Sequence, residues 1–236
     1  MSRDHLLRAP VGVLLAFVSL APARAQEPEP PFRYETQRVD DYFAERAAAV
    51  AAALGFAGWP KTSELYAIPA VSRALLREPA RVTDEVRACT TVLFGDDRWP
   101  QCTWSWKGLT EGRKPSPHDW LDLQITVTPS GRAAQEHLIG SVADNQLPTE
   151  MVVARYRSAE RPANLGHVAF VVRSPKGDEA TVSFLRANVV FRIRGHGALA
   201  AEAPPLAARL DERLAGQSPL TLEELRARSA EALRRR

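Results

Sequence analysis

The chain has little of what usually betrays an activity. Two cysteines, two methionines and four lysines occur in 236 residues. No G-x-S-x-G, H-E-x-x-H, Walker-type or dinucleotide-type glycine motif is present, so the commonest hydrolase, zinc-protease and nucleotide-binding chemistries have no anchor. Beyond residue 25 no stretch approaches the roughly 20 apolar residues that cross a bilayer. A membrane span in the mature chain is therefore not expected.

What is present begins with a leader. Arg3 and Arg8 make a positive start, Val11 to Leu20 is apolar, and Ala23-Arg24-Ala25 places small residues at the −3 and −1 positions of a signal-peptidase site. Cleavage is predicted between Ala25 and Gln26, which puts the mature protein in the periplasm or outside the cell. Gln26 occupies the place where a lipoprotein would carry its lipidated cysteine, so no lipid anchor is expected. Removing residues 1–25 takes away Arg3, Arg8, Arg24 and Asp4, leaving 28 basic against 27 acidic residues. The net charge drops from +3 to +1, and a near-neutral chain has no bulk electrostatic attraction to nucleic acid or to a membrane surface.

In an oxidising compartment Cys89 and Cys102 most simply pair as a disulfide. Closing so short a loop stabilises a fold by about 3 kcal/mol in the chain-entropy picture. The rival is a zinc site made with His118 and His137, but neither C-x-x-C nor H-x-x-x-H spacing occurs. The expectation is a disulfide, with no metal and no cofactor.

Hydrophobic periodicity divides the remainder. Residues 26–33 are an acidic, Pro-rich spacer. A helix is predicted from Thr36 to Leu54 on the stripe Val39, Tyr42, Phe43, Val50 and Leu54, and a shorter one from Pro69 to Arg77. Strands are predicted at Arg81–Val86 and Gln101–Trp106, with Gly95-Asp96-Asp97-Arg98 as a turn. Leu121 to Val127 alternates strictly and is the cleanest strand. A helix follows from Arg132 to Asn145. Met151–Arg157 fits either type and is assigned as a strand. Strands at Val168–Val172, Ala180–Leu185 and Val189–Arg194 should form hairpins that turn at Pro175–Asp178 and Arg186–Asn188. A helix from about Pro204 to Leu214 stops before Gly216. A last helix opens on the capping-box pattern Thr221-Leu222-Glu223-Glu224. The fold class is α+β: an antiparallel sheet covered by helices. The predicted division is a signal peptide at 1–25, a spacer at 26–33, a domain at 34–216 and a terminal helix at 217–236.

Three segments carry a family likeness: Leu165-Gly166-His167-Val168-Ala169-Phe170, Arg186-Ala187-Asn188-Val189-Val190-Phe191 and Pro205-Leu206-Ala207-Ala208-Arg209-Leu210. With them the chain resembles PsbP-like extracytoplasmic domains, including those of secreted actinobacterial lipoproteins. Cys102-Thr103-Trp104 matches the Cys-x-Trp strand that many of these carry. The resemblance spans roughly Ile68 to Leu214. It implies an α/β/α sandwich and a binding or accessory role rather than catalysis.

Three groups of residues are candidates for function. Trp104, Trp106 and Trp120 form an aromatic set in which Cys102, Trp104 and Trp106 share one strand face. They are either core over the disulfide or a platform for a sugar ring or apolar ligand. Arg192 and Arg194 point away from the Val189-Phe191-Ile193 face, and Arg155 and Arg157 alternate likewise. If the two strands are neighbours, four guanidinium groups would make an anion patch; otherwise they are a solvated edge. His118-Asp119 is the only acid/base candidate, and neighbours on an extended chain point apart. The function expected is a non-catalytic binding or accessory module of the bacterial cell envelope, with an envelope protein or small ligand as partner. The alternative is a secreted hydrolase built around His118 and Asp119.

Overall fold

A computed structural model describes residues 41–55, 62–111, 113–143 and 147–234. The predicted leader, the spacer and the first turn of the first predicted helix lie outside the described residues. The structure is built on a six-stranded sheet, antiparallel throughout, made from two three-stranded meanders. The first comprises β1 (Val86–Phe94), β2 (Asp97–Leu109) and β3 (Pro115–Val127); the second comprises β4 (Val168–Arg173), β5 (Glu179–Arg186) and β6 (Val189–His196). Their order across the sheet is β1-β2-β3-β6-β5-β4, so β3 and β6 join the meanders at the centre.

Between the meanders run α2 (Gly131–Ala143) and α3 (Thr149–Arg157), while α1 (Asp41–Ala53) precedes both. After β6 come a 3-10 segment at Gly197–Glu202, then α4 (Ala203–Ala215) and α5 (Leu222–Arg234). Each meander thus sends its helices to a different face, because side chains alternate along every strand and both faces carry apolar residues. On one face Leu121, Leu123, Ile125, Phe191, Ile193 and Val182 pack beneath Leu206, Leu210 and Leu214 of α4 and Leu225 of α5. On the other, Phe170, Val172, Leu185 and Val190 pack beneath Val50 and Leu54 of α1, Leu138 and Ile139 of α2, and Val152 and Tyr156 of α3. This is the α+β arrangement expected, with helices on both faces.

Several boundaries follow the sequence closely. The first meander turns at Gly95-Asp96, with Phe94 paired to Asp97 and Gly95 in the left-handed region at φ +61°. The capping box forms: the Thr221 Oγ accepts the Glu224 N–H at 3.2 Å and Glu224 Oε2 accepts the Thr221 N–H at 2.8 Å. Cys89 and Cys102 face each other across β1 and β2 and are joined as a disulfide, so their thiolates cannot ligate zinc.

Three assignments are corrected. Met151–Arg157 lies in a helix, because Val152 and Tyr156, four residues apart, bury together while Met151 stays exposed. Pro69–Arg77 is irregular apart from one 3-10 turn at Arg73–Leu75. Its main-chain groups bond to side chains from elsewhere. The Arg77 N–H donates to Glu202 at 3.0 Å, the Ala70 carbonyl accepts Arg213 at 3.0 Å and the Leu75 carbonyl accepts Arg209. Arg81–Val86 is not a strand of the sheet. Pro79–Arg81 is a 3-10 turn, Val82 makes an isolated bridge to Gly108, and β1 starts only at Val86.

Candidate functional site

The three tryptophans separate. Trp104 and Trp106 point into the α4 side of the sheet and are 4% and 0% exposed. They sit with Cys102 in the core, as a shared strand face requires, and Arg87 lies over Trp104 at 5.5 Å. Trp120 lies on the opposite face, half-buried and stacked on the His196 ring with centroids 5.6 Å apart.

Among the described residues, helices roof only part of that opposite face. Strand register fixes its content, since residues paired across the sheet project to the same side. Where Gln101, Thr126, Val190 and Leu185 align, the helices cover the sheet. Two residues further along, the row is Thr103, Gln124, Arg192 and Ser183; the next is Ser105, Asp122, Arg194 and Thr181. The last row holds Lys107, Trp120, His196 and Glu179. Three successive rows across four strands are therefore almost entirely polar. Thr103, Asp122, Gln124, Arg192 and Arg194 line a depression of about 130 Å³ in this face. Arg194 touches Asp122 through a single contact at 3.5 Å and lies over Trp120 at 5.8 Å.

Arg155 and Arg157 do not join this group as expected. They belong to α3, which packs on β4, so the four guanidinium groups of the predicted patch do not line up on adjacent strands. Two of the four, Arg192 and Arg194, remain together.

His118 and Asp119 lie in a bulge. Lys107 pairs with Trp120 but Leu109 pairs with Pro115, so the residues between loop out of β3. The Ser116 Oγ accepts the main-chain N–H groups of His118 and Asp119 at 3.3 and 3.2 Å. Asp119 Oδ1 accepts the Ala198 N–H at 2.8 Å, and this bond holds its carboxyl below the usual carboxylate range. The His118 carbonyl accepts His196 Nδ1–H at 2.5 Å. A Cβ at Gly108 or at Gly197, the latter at φ +61°, would collide with Asp119. Hydroxyl, carboxylate and carbonyl are thus engaged in closing the bulge. Among the described residues no acid/base side chain is hydrogen-bonded to the His118 imidazole; His196 meets only its carbonyl.

A second hollow, about 260 Å³, opens beside the end of α1 and is lined by Leu54, Arg161, Leu165, Gly166, His167 and Phe170, among others. His167 Nδ1 accepts the Ala187 N–H at 3.1 Å, which fixes the tautomer protonated at Nε2. Burial pushes its pKa down, and neighbouring Arg186 pushes the same way. Arg161 donates to the Leu54 carbonyl at 3.1 Å across this hollow.

Comparison with known proteins adds no relative. No family model, curated protein or solved structure matches the chain. Function has therefore to be argued from geometry. Sequence reasoning found Arg192 and Arg194 through alternation and Trp120 as one of an aromatic set, but missed Thr103, Asp122 and Gln124. The polar positions of β2 and β3 were visible as an alternating pattern; which ones stand opposite Arg192 depends on register between distant strands.

Proposed function

We propose that the protein is an exported, non-catalytic binding module that holds its ligand on the polar part of the sheet that no described helix covers. One observation carries this reading: twelve consecutive register positions are polar or aromatic where the same sheet elsewhere is packed beneath helices. A sheet face that only needed solvation has no need of a depression walled by two arginines, a carboxylate, an amide and a hydroxyl. Convergent polar groups in a concavity are the usual mark of a binding site. The leader and the disulfide between Cys89 and Cys102 favour the periplasm or the medium as the setting. The PsbP-like resemblance belongs to the same reading and implies an accessory role in the cell envelope. The hydrolase alternative loses its support because Asp119 and Ser116 are occupied in holding the bulge.

The experiment is shift mapping by NMR of the purified protein against fractions of a bacterial envelope extract. Shifts should concentrate on Thr103–Lys107, Trp120–Gln124 and Arg192–His196. Filling the depression with Gln124→Trp should abolish them while the melting temperature stays within a few degrees. Shifts centred on His118 and Asp119, accompanied by turnover of a component, would instead establish the hydrolase.

A further inference from the structure

We propose that the depression between β2, β3 and β6 receives a small oxyanion, a phosphate or carboxylate group, gripped by Arg192 and Arg194. This rests on the binding reading above and names the chemistry of the ligand. The two arginines are two residues apart on β6 and share a face, which sets their Cα atoms about 7 Å apart along the strand. Both side chains line the depression, and guanidinium groups at that separation can approach one oxyanion from two sides. Beside Arg192 in its row, the residues that line the depression are neutral and polar, the Thr103 hydroxyl and the Gln124 amide. Among the described residues lining the depression the one carboxylate, Asp122, lies a row away opposite Arg194. An anion seated over the Thr103–Gln124–Arg192 row therefore meets positive charge and hydrogen-bond donors, with the acid to one side. The volume is about 130 Å³, which leaves room for a group of this size.

Asp122 has a defined part in this site. At 3.5 Å its contact with Arg194 is long for a charge-assisted bond, and Arg194 is exposed. The carboxylate holds that side chain near the depression when no ligand is present, and an incoming oxyanion competes with it. Removing the carboxylate should then strengthen anion binding, an effect that a purely structural ion pair would not produce.

The test uses the purified protein at low ionic strength, with inorganic phosphate in one arm, succinate in a second and chloride as control, followed by NMR. The expected result is saturable shifts at Thr103, Gln124 and the Arg192 and Arg194 side-chain signals, weakening as salt is added. Whichever of phosphate and succinate binds tighter identifies the group recognised. Arg194→Gln, an exposed position that folding tolerates, should weaken binding about tenfold, the value of one charged hydrogen bond. Asp122→Asn should tighten it several-fold. Non-saturating shifts, shifts spread over arginines elsewhere, or an affinity unchanged in Arg194→Gln would overturn the proposal. If both anions fail while envelope fractions still bind and Gln124→Trp still blocks them, the oxyanion falls and the binding face stands. If those fractions fail as well, both fall.

Discussion

Asn188 ties together three stretches of chain that are far apart in sequence. It is fully buried, accepts the Tyr66 N–H at 2.7 Å and donates to the carbonyls of Tyr66 and Thr128 at 3.2 and 3.0 Å. The sequence shows it only as a turn residue, yet its side chain supplies the hydrogen bonds that a neighbouring strand would otherwise give to residue 66. Asn188→Ala leaves the N–H and carbonyl of Tyr66 and the carbonyl of Thr128 without that partner in the interior, so it should cost about 3 kcal/mol or more, three groups at about 1 kcal/mol or more each. Urea unfolding would measure this, and a loss below about 1 kcal/mol would mean that water replaces the amide. Gly166 is the second such position. It sits at φ +58°, its N–H donates to the buried Asp211 at 2.9 Å, and an added Cβ would overlap the Leu185 carbonyl. Asp211 also accepts two bonds from Arg186, at 2.5 and 2.8 Å. Gly166→Ala must shift β5 or the loop and should destabilise by about 2 kcal/mol or more, read as a lower melting temperature.

At the level of elements, the disulfide makes a cross-strand clamp within the first meander. Reduction releases a loop of sequence separation 13 and should lower stability by up to about 3 kcal/mol. Denaturation with and without a reductant measures it. The second meander and the middle of the first were legible from the alternation of Leu121–Val127 and Val189–Arg194, the apolar run Val168–Val172 and the turns at Gly95-Asp96 and Lys176-Gly177, whereas β1 starts at Val86, where the expected strand Arg81–Val86 ends. The α3 helix was not, since Val152 and Val153 favour strands intrinsically; burial of Val152 with Tyr156 decided otherwise. Residues 69–77 were misread for the opposite reason. Their local pattern suits a helix, but Arg213, Arg209 and Glu202 satisfy the backbone from α4 and the 3-10 segment before it, and tertiary bonds of that kind leave no local trace. The same non-locality hid half of the candidate site. Alternation exposed Arg192 and Arg194 on β6, whereas their neighbours follow from the pairing of β3 with β6, Gln124 with Arg192 and Asp122 with Arg194, across about 70 residues.

For the whole molecule, the boundary between roofed and open sheet also sets its response to acid. At that boundary α2 lays His137 against β3 and β1: its Nε2 bonds to the Thr126 hydroxyl at 3.1 Å and its ring meets Phe94 edge-on at 5.6 Å. Burial pushes its pKa down from 6.5 to about 4. In the unfolded chain the imidazole takes up a proton as pH falls through 6.5, while in the fold it stays neutral until about 4. Between those values the unfolded state binds more protons, so acid draws the equilibrium toward unfolding. The loss approaches about 1.4 kcal/mol for each pH unit and totals roughly 3 kcal/mol once pH is below 4. Above 6.5 there is no penalty. Carboxylates titrate over part of the same range, so the contribution is isolated by difference. Urea midpoints for the wild type and for His137→Gln, measured at pH 7.5 and 4.5, should show the wild type losing about 2 kcal/mol more than the variant. Because α2 edges the open face, the same titration should loosen the rim near Gln101 and Thr126 first, visible as faster amide exchange there at pH 4.5. Parallel pH profiles for the two proteins would place His137 in contact with water and remove the link between acid and the sheet.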